Sequence, residues 1–358
     1  MHLSPDPPDE EYADAVLAEL QAHRGGFDGR LVSVHLGGGS PSRWCASAVR
    51  RVVEGVQHAF AGSAGQVEVA LEANPEEVTA AALDGWLAAG IGRLTLGVQS
   101  LDDDVLRSLG RQHDGTGALA AIALAREAGM PGIAVDLIYA VPGQTVGSWG
   151  DTLDRVVDSG VGHVSAYNLT LEPGTRFFAQ ARAGRLVMPA DPVQAELYRQ
   201  AVRTLEGAGL CRYEVSNFAH VGEQSRHNRL YWEGAAYIGL GAGAHSYRPE
   251  PGGGRRWRNQ RRPADYIEAA LGGGGAVAEE ESLSAEQVLA ERLVMGLRLV
   301  EGVTWSHLED ATGLHVAERI GRRVDALEAE GLLARDAIGV RASRRGLEVL
   351  DSVVEALI

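Results

Sequence analysis

Residues 34–42 read VHLGGGSPS, a run of alternating apolar residues that ends in three consecutive glycines followed closely by Pro41. Glycine clusters cost backbone entropy on folding, so they usually mark a positive φ or a close approach of the backbone to another group. A strand, a glycine loop and a helix can bind phosphate, but the P-loop pattern ends in Gly-Lys-Ser/Thr and this loop has no lysine. By itself, the stretch predicts either a tight turn or a ligand-binding loop.

Similar apolar runs recur along the first half of the chain, each short and rich in Val, Leu and Ile. They occupy residues 31–36, 67–72, 93–98, 133–139 and 163–169. Such runs are typical of buried parallel strands. Helical patterns lie between them, and the pattern at 117–129 ends at Gly129, as a helix C-cap would. Repeated β/α units of this kind form either an open doubly wound sheet or a (β/α) barrel, and periodicity does not distinguish the two.

Polar or backbone-exposing residues follow each of these runs. In chain order they are Gly37–Gly39, Glu72–Pro75, Gln99–Ser100, Pro142–Thr145 after the run that carries Asp136, and Thr170–Gly174. The carboxyl ends of parallel strands meet at one edge of the sheet, where α/β folds place their sites. Any single residue has a structural explanation, such as a surface ion pair for Arg111. The ordered set predicts one ligand pocket.

The charge balance argues against two classes of partner. With 33 basic and 48 acidic residues among 358, the formal charge is −15, which disfavours a general binder of nucleic acid or of anionic membranes. No apolar run is long enough to span a membrane, and the opening MHLSPDPPDEEY lacks the regions of a signal peptide. We therefore expect no nucleic-acid partner, no membrane span and a cytoplasmic location.

A local basic cluster stands out against this acidic background. It consists of Arg255, Arg256, Arg258, Arg261 and Arg262. We interpret it first as a solvated surface, with contact to an acidic ligand as the alternative.

The last third of the chain differs in character. Helical patterns occupy 176–209, and the glycines at 272–275 with the acidic stretch after them predict a linker. From residue 284, three helical patterns and a hairpin predict a small winged-helix-like domain. Because the charge is mixed and the chain is acidic, we interpret this domain as a lid or packing domain rather than a DNA-binding module.

Nine spaced motifs together resemble one family. In order they are GGGSPS, EANPE, LGVQS, GRQHD, DLIYAVPGQT, LTLEPGT, YEVSNFA, HNRLYW and GLGAGAHS. This set is similar to the radical SAM proteins of the oxygen-independent coproporphyrinogen III oxidase group, and in particular to HemW-type heme chaperones, over residues 10 to 350. The resemblance implies an α/β fold, a partial (β/α)6 TIM-like radical SAM barrel without its first strand. It also implies domains at 1–210, 211–275 and 284–358, the last one winged-helix-like.

The same resemblance implies a pocket for S-adenosylmethionine (SAM). The loop Gly37, Gly38 and Gly39 would lie against the methionine part, where its carbonyls accept from the ligand ammonium. The further SAM-contacting positions are Glu72, Gln99, Arg111, Asp136 and Thr170. Carboxylates and an amide suit ribose hydroxyls or the ammonium, and Arg111 suits the ligand carboxylate. Thr170 falls at the adenine side.

A second ligand, heme, is implied by the motif HNxxYW. The matching residues are His227, Asn228, Tyr231 and Trp232. An imidazole can ligate heme iron and aromatic rings can pack on a porphyrin, so His227 is the candidate iron ligand. The alternative is a structural turn with a hydrogen-bonded histidine. His245 and Cys211 are weaker candidates for the same iron, and the expected partners are heme and heme-recipient proteins of unknown identity.

The chain departs from the family at the iron–sulfur cluster. A radical SAM [4Fe–4S] cluster takes three thiolates from a CxxxCxxC loop, whereas this sequence has only Cys45 and Cys211. We therefore expect these 358 residues to be inactive in radical chemistry. In the family, the first strand and the cluster loop precede a helix like 10–23. We favour a truncated sequence, with both elements encoded upstream of Met1, over natural loss of the cluster.

Three functions are consistent with these patterns. The first is heme trafficking by a SAM- and heme-binding protein of the chaperone type. The second is oxidative decarboxylation of the propionates of coproporphyrinogen III, which belongs to porphyrin biosynthesis. The third is binding of SAM or heme without a cluster. The HNRLYW motif favours the first.

Overall fold

The computed structural model describes residues 9–27, 29–60 and 65–358. The described residues divide into two compact units. We call residues 35–43 and 69–225 the sheet unit, and the described residues of 1–34, 44–68 and 226–358 the terminal unit. The prediction that the opening sequence lacks a signal peptide falls largely on residues 1–8, which lie outside the described residues.

The strands of the described chain number thirteen. They are β1 (Ser33–Leu36), β2 (Glu68–Ala73), β3 (Arg93–Gln99), β4 (Gly132–Tyr139), β5 (His163–Asn168), β6 (Cys211–Arg212), β7 (Asn217–Ala219), β8 (His245–Glu250), β9 (Gly253–Asn259), β10 (Val277–Ser284), β11 (Val303–Thr304), β12 (Leu333–Arg335) and β13 (Gly339–Ala342).

The helices number fifteen over the same described ranges. They are α1 (Asp9–Arg24), α2 (Ala46–Ala59), α3 (Ala80–Ala88), α4 (Asp103–Leu109), α5 (Gly115–Glu127), α6 (Val146–Asp158), α7 (Arg176–Arg182), α8 (Asp191–Gly207), α9 (Arg226–Trp232), α10 (Pro263–Leu271), α11 (Ala285–Gly296), α12 (Trp305–Thr312), α13 (Val316–Ala329), α14 (Arg344–Glu348) and α15 (Leu350–Leu357). Two 3₁₀ turns, Pro41–Arg43 and Pro75–Glu77, follow β1 and β2.

A seven-stranded sheet organises the sheet unit. Its order is β1-β2-β3-β4-β5-β7-β6, and β2 to β5 pair in parallel. The short strands β7 and β6 continue it in antiparallel pairing. All five predicted strands are present, parallel pairing is confirmed for β2 to β5, and β1 lies at the edge of the sheet. Among the residues described before β1, 9–27 and 29–32, there is a helix and no strand.

The core of the sheet unit is apolar. Leu94 and Leu96 of β3 and Leu137 of β4 are fully buried, as near-continuous apolar strands covered by helices require. Trp149 of α6 is also fully buried, and its indole N–H donates to the Leu197 carbonyl of α8 at 2.9 Å. This packing holds the strands so that their carboxyl ends stay in fixed positions.

Local signals explain where the crossover helices begin and end. The Asp114 side chain accepts from the Gly117 N–H at 2.7 Å and caps α5. The chain leaves α5 through Gly129, whose φ of 79° is left-handed. The predicted helix stop at Gly129 is therefore confirmed.

The terminal unit contains a second sheet, of order β10-β9-β8. The acidic stretch predicted to be a linker forms β10, so that prediction is wrong. Strand β10 pairs antiparallel with the arginine-rich β9. Across the pair, Arg255 forms an ion pair with Glu280, and Arg256 lies 2.6 Å from Glu281. Pairs of opposite charge across the two strands stabilise β10, although its polar sequence by itself is typical of a linker.

The segment from α11 to the end of the chain is mainly helical and contains a three-stranded sheet. Helices α11, α12 and α13 precede the hairpin of β12 and β13, and β11 pairs with β13. This is the predicted order of three helices and a hairpin. No helix in the described part of the chain is both long and apolar enough to cross a bilayer.

A buried carboxylate joins three segments of the terminal unit. Glu19 of α1 accepts from the Gly241 N–H at 2.9 Å, from the Tyr266 hydroxyl at 2.6 Å and from the Asn259 amide. Its side chain is buried among Leu20, Tyr266 and other apolar residues. Burial raises the pKa of Glu19, while the three hydrogen bonds act in the opposite direction.

Replacing this carboxylate should destabilise the fold. We expect Glu19→Ala to lower the free energy of unfolding by about 3 kcal/mol or more, because it leaves three buried donors without an acceptor. Chemical denaturation of the whole chain measures it. Glu11→Ala, at an exposed position of the same helix, is the control and should have no measurable effect. Equal stability of both variants would contradict a structural role for Glu19.

Candidate functional site

Four of the predicted SAM-site residues lie at the carboxyl-terminal side of the sheet unit. We call Glu72, Gln99, Arg111 and Asp136 the strand-end cluster. Glu72 lies near the end of β2, Gln99 ends β3, and Asp136 lies in β4. Arg111 follows α4, which ends at Gly110 with a left-handed φ of 73°. Parallel pairing of neighbouring strands brings these positions to one edge.

The glycine loop approaches this cluster closely. A Cβ on Gly37 would lie 2.6 Å from His35 Nε2 and 2.9 Å from Glu72 Oε1, so only glycine fits there without movement. Gly38 and Gly39 have φ values of 73° and 67°, and a Cβ on either would meet nothing within 4 Å. The three glycines thus serve two purposes: one makes room for side chains, and two turn the chain with their backbone exposed.

Glu72 is oriented from two sides. His35 Nε2 lies 2.9 Å from its Oε1, and the Gly38 N–H donates to its Oε2 at 3.4 Å. The side chain of Glu72 is nevertheless 46% exposed, so its carboxylate remains accessible from solvent. A carboxylate held in this way can accept from a ligand ammonium or hydroxyl.

Asp136 has the most perturbed acidity in the cluster. Burial between β3 and β5 raises its pKa to about 6, and the nearby Glu72 carboxylate acts in the same direction. A hydrogen bond from Ser165 and the charges of His35 and Arg111 act in the opposite direction. These mutual effects show that the groups lie within electrostatic reach of one another.

Arg111 contacts Asn74, and the side chains of Asn74 and Gln99 both lie near Gly97. The Arg111 guanidinium donates to Asn74 Oδ1 at 3.1 Å, and burial lowers the pKa of Arg111. Gln99 Nε2 and Asn74 Oδ1 both lie over Gly97, at 2.9 and 3.5 Å from where its Cβ would be. Gln99 itself has a φ of 65°, which is uncommon for a residue other than glycine and recurs at functional sites.

Thr170 is placed differently from the other SAM candidates. It lies beyond β5, is exposed, and its hydroxyl donates to the Asn168 carbonyl at 3.4 Å. Its role at the adenine side stays a prediction.

Sequence reasoning assigned no individual role to the residues that hold the cluster in place, namely His35, Ser42, Asn74 and Glu77. Glu77 accepts from the Ser42 hydroxyl at 2.6 Å and from the Asn74 N–H at 2.9 Å, and so ties the glycine loop to the turn after β2. The spacing Asn-x-x-Glu is a capping-box pattern, and it was the available signal for this pair. For His35, the sequence offered only a polar residue within an apolar strand.

The heme-motif residues lie on α9 in the terminal unit. His227 lies in the first turn, where its N–H donates to Glu68 Oε1 at 3.1 Å, and its Nδ1 lies 3.5 Å from the Ser33 hydroxyl. No residue of α9 is fully buried. The Arg298 guanidinium lies 4.4 Å from the centre of the Trp232 ring. The side chain of Asn228 is partly exposed.

A row of aromatic rings extends from His227. The centroids of His227 and Tyr231 are 4.9 Å apart, and those of Tyr231 and Tyr237 are 4.8 Å apart. Tyr247 continues the row at 6.2 Å from Tyr237. We call these four residues the aromatic row. Tyr247 is buried, whereas the rings of Tyr231 and Tyr237 are at least partly exposed. These two rings and the neighbouring imidazole offer both an apolar surface and a metal ligand.

The weaker heme candidates lie elsewhere in the chain. His245 is exposed at the start of β8, and Cys211 is exposed in β6 of the sheet unit. The basic cluster is also accounted for in part: Arg258 pairs with Glu279, and Arg255 and Arg256 pair as described above. These three charges are balanced within the β9–β10 sheet, so none of the three needs an acidic ligand as a partner, and Arg258 is buried rather than solvated.

The residues present fit SAM but not a cluster. An accessible carboxylate, an amide, a guanidinium and open glycine backbone match the ammonium, hydroxyls and carboxylate of SAM. The two thiols, Cys45 and Cys211, are both exposed and belong to different units, and a radical SAM cluster needs three. Within the described residues, no group of three His, Cys, Asp or Glu side chains is arranged to hold a metal ion.

The raised pKa of Asp136 predicts a specific pH dependence of stability. A carboxyl that is more basic in the folded chain than in the unfolded chain stabilises the fold fully at low pH and loses this contribution as pH rises toward about 6. The stability advantage of the unsubstituted chain over Asp136→Asn should therefore fall by at most about 3 kcal/mol between about pH 4 and pH 7. Urea denaturation at several pH values measures it.

The control for this measurement is Asp151→Asn, at an exposed position in α6. Its stability difference from the unsubstituted chain should change much less over the same pH range. A difference for Asp136→Asn that stays constant with pH would show that the carboxyl has ordinary acidity.

Comparison with known proteins places this site in context. Residues 3–156 match the radical SAM superfamily, and residues 283–349 match the HemN C-terminal domain. The chain is 38% identical over 336 residues to Radical S-adenosyl methionine domain-containing protein 1, mitochondrial, of Danio rerio, covering 92% of this chain and 76% of that protein. It is 32% identical over 323 residues to Heme chaperone HemW of Bacillus subtilis, covering 89% and 82%.

A solved structure shares the fold over nearly the whole chain. It is coproporphyrinogen III oxidase (HemN) from Escherichia coli, with a TM-score of 0.78 over 98% of this chain and 83% of that chain, at 21% identity. The matched families, the identity to these relatives and the shared fold agree. The chain belongs to the radical SAM superfamily, in the heme-related group that includes HemW and carries the HemN C-terminal domain.

Proposed function

We propose that this chain is a heme-trafficking protein of the chaperone type, with a SAM pocket in its sheet unit and a heme site on α9. Relatives that are 32% to 35% identical over most of the chain carry the name Heme chaperone HemW. The observation that carries the proposal is that the chain pairs a strand-end cluster suited to SAM with an imidazole and an aromatic row suited to heme. The heme-recipient protein is unidentified.

The SAM half of the proposal rests on complementary charge. SAM carries an ammonium, a sulfonium, a carboxylate and two ribose hydroxyls. Glu72 and Asp136 supply negative charge for the cationic groups, and Arg111 offers a planar pair of donors to the carboxylate. The backbone of Gly38 and Gly39 is open to a ligand.

The heme half rests on α9. When bound, heme supplies an iron that accepts an imidazole nitrogen as axial ligand. His227 is the residue we assign as that ligand. Tyr231 and Tyr237 provide apolar ring surface next to it, and Trp232 with Arg298 forms a cation–π pair at the end of the same helix.

Radical chemistry is not part of the proposed function of these 358 residues. Three thiolates are needed to hold the cluster, and this chain has two. Adding SAM, reductant and coproporphyrinogen III to the chain distinguishes the enzyme alternative. Formation of protoporphyrinogen would replace the chaperone proposal with coproporphyrinogen oxidase activity.

SAM binding should depend on the carboxylate of Glu72. We expect Glu72→Gln to weaken SAM binding about tenfold, because a charge-assisted hydrogen bond to the ligand is replaced by a neutral one. Isothermal titration of the 358-residue chain with SAM measures the dissociation constant.

Glu127→Gln, on the exposed last turn of α5, is the matched control and should bind SAM like the unsubstituted chain. If the unsubstituted chain binds no SAM, or if both variants bind equally well, the strand-end cluster is not a SAM site.

Heme binding should depend on the imidazole of His227. We expect His227→Ala to abolish the Soret shift that marks axial ligation, because the variant removes the iron ligand. Absorbance titration with hemin measures it, and circular dichroism verifies that the variant is folded.

Two further variants sharpen this result. His58→Ala, exposed on α2 of the same unit, should titrate like the unsubstituted chain. His245→Ala tests the weaker candidate and should also leave the spectrum unchanged. Identical Soret changes in His227→Ala and the unsubstituted chain would remove His227 from the site.

A further inference from the structure

A buried histidine of the sheet unit, His113, is not used by the proposed SAM contacts. Its side chain is 2% exposed. Its Nδ1 lies 3.0 Å from Glu76 Oε2, and its Nε2 lies 3.0 Å from the Val98 carbonyl oxygen. Both neighbours are acceptors, and an imidazole donates to two acceptors only when both ring nitrogens carry hydrogen. The geometry thus fits an imidazolium ring that bridges two segments.

One bridged segment is the end of β3. The Val98 carbonyl immediately precedes Gln99, whose left-handed φ of 65° is a costly conformation for a residue that carries a Cβ. The same carbonyl also accepts from the Ser100 N–H at 2.8 Å. Such a conformation persists only where surrounding contacts hold it. The hydrogen bond from His113 to the Val98 carbonyl acts on the Val98–Gln99 peptide, directly before this conformation.

The other bridged segment is the turn after β2. Glu76 belongs to the 3₁₀ turn Pro75–Glu77, directly after Asn74. Its charge also acts on Arg111, and Arg111 donates to Asn74 at 3.1 Å. Glu76 therefore connects His113 to the position of Arg111.

We propose that His113 is a positioning residue for SAM: it fixes the Gln99 peptide and the turn 74–77 in the geometry in which Gln99 and Arg111 meet the ligand. This inference rests on the proposed function, because SAM is the ligand of that site. In this proposal His113 does not contact the ligand and acts on ligand binding only through these two segments.

The first test is a set of four chains titrated with SAM: the unsubstituted chain, two single variants and the double variant. We expect His113→Ala and Glu76→Ala each to weaken SAM binding about tenfold, since the first removes both bridging hydrogen bonds and the second removes the one to Glu76. The double variant should be no weaker than either single variant, because the two residues act as one unit. Losses that multiply in the double variant would overturn the bridge.

Conservative variants separate positioning from folding. Glu76→Gln should retain near-normal SAM binding, because its amide can donate to Nδ1 of a neutral His113 ring whose Nε2 still donates to Val98. His220→Ala, exposed in the same unit, is the histidine control. Equal weakening by Glu76→Gln and Glu76→Ala would contradict the bridge. Where His113→Ala does not fold, His113→Gln takes its place.

The second test does not use SAM. Nitrogen-15 NMR of the histidine rings should show two protonated nitrogens in His113, and one after Glu76→Gln. Hydrogen exchange of the Ser100 amide should accelerate at least about tenfold in His113→Ala while exchange in α8 stays unchanged.

The two tests have separate outcomes. If the unsubstituted chain binds no SAM, the proposed function fails, and the proposed role of His113 in ligand binding fails with it. The hydrogen-exchange data would still decide whether His113 holds the Gln99 peptide. If the unsubstituted chain binds SAM and His113→Ala binds it equally well, only the positioning role is overturned.

Discussion

Parallel pairing of β2, β3 and β4 brings ionisable groups from distant parts of the chain to one edge of the sheet, and the rest of the site follows from the need to accommodate their charges. The pKa of Asp136 is raised to about 6 by burial and by the carboxylate of Glu72. Such a group is tolerated because cations and hydrogen-bond donors surround it. His35 and Arg111 supply the positive charge, and Ser165 supplies a hydrogen bond.

The same constraint explains the glycine loop. Because His35 and Glu72 converge above Gly37, no Cβ can be accommodated at that position without movement. Farther out, Gly38 and Gly39 turn the chain through left-handed conformations and leave their backbone open. A loop whose sequence resembles a phosphate-binding turn is thus shaped by a carboxylate and an imidazole, and it suits a ligand with a cationic group.

The terminal unit shows a different solution to the burial of charge. Glu19 is surrounded by three donors, from Gly241, Asn259 and Tyr266, and these hydrogen bonds compensate for its loss of hydration. In β9 and β10, arginines and glutamates pair across the strands, and of the three arginines only Arg258 is buried. The small-residue run of the GLGAGAHS motif is explained by close packing, since the backbone of His245 lies where a Cβ on Gly239 would be.

The sequence by itself determined the five apolar strands of the first half of the chain, the helix stop at Gly129 and the order of the C-terminal helices and hairpin, because these depend on local periodicity and capping chemistry. It also identified the strand-end cluster, since successive β/α units place strand ends on one side. Only the tertiary structure decided that residues 277–284 form a strand, because the arginines that pair with its glutamates lie 21 to 25 residues away in the chain. It likewise decided which residues hold the site in place. His35, Asn74 and His113 act through contacts with residues of other strands and turns, and such contacts leave no periodic signal in the sequence.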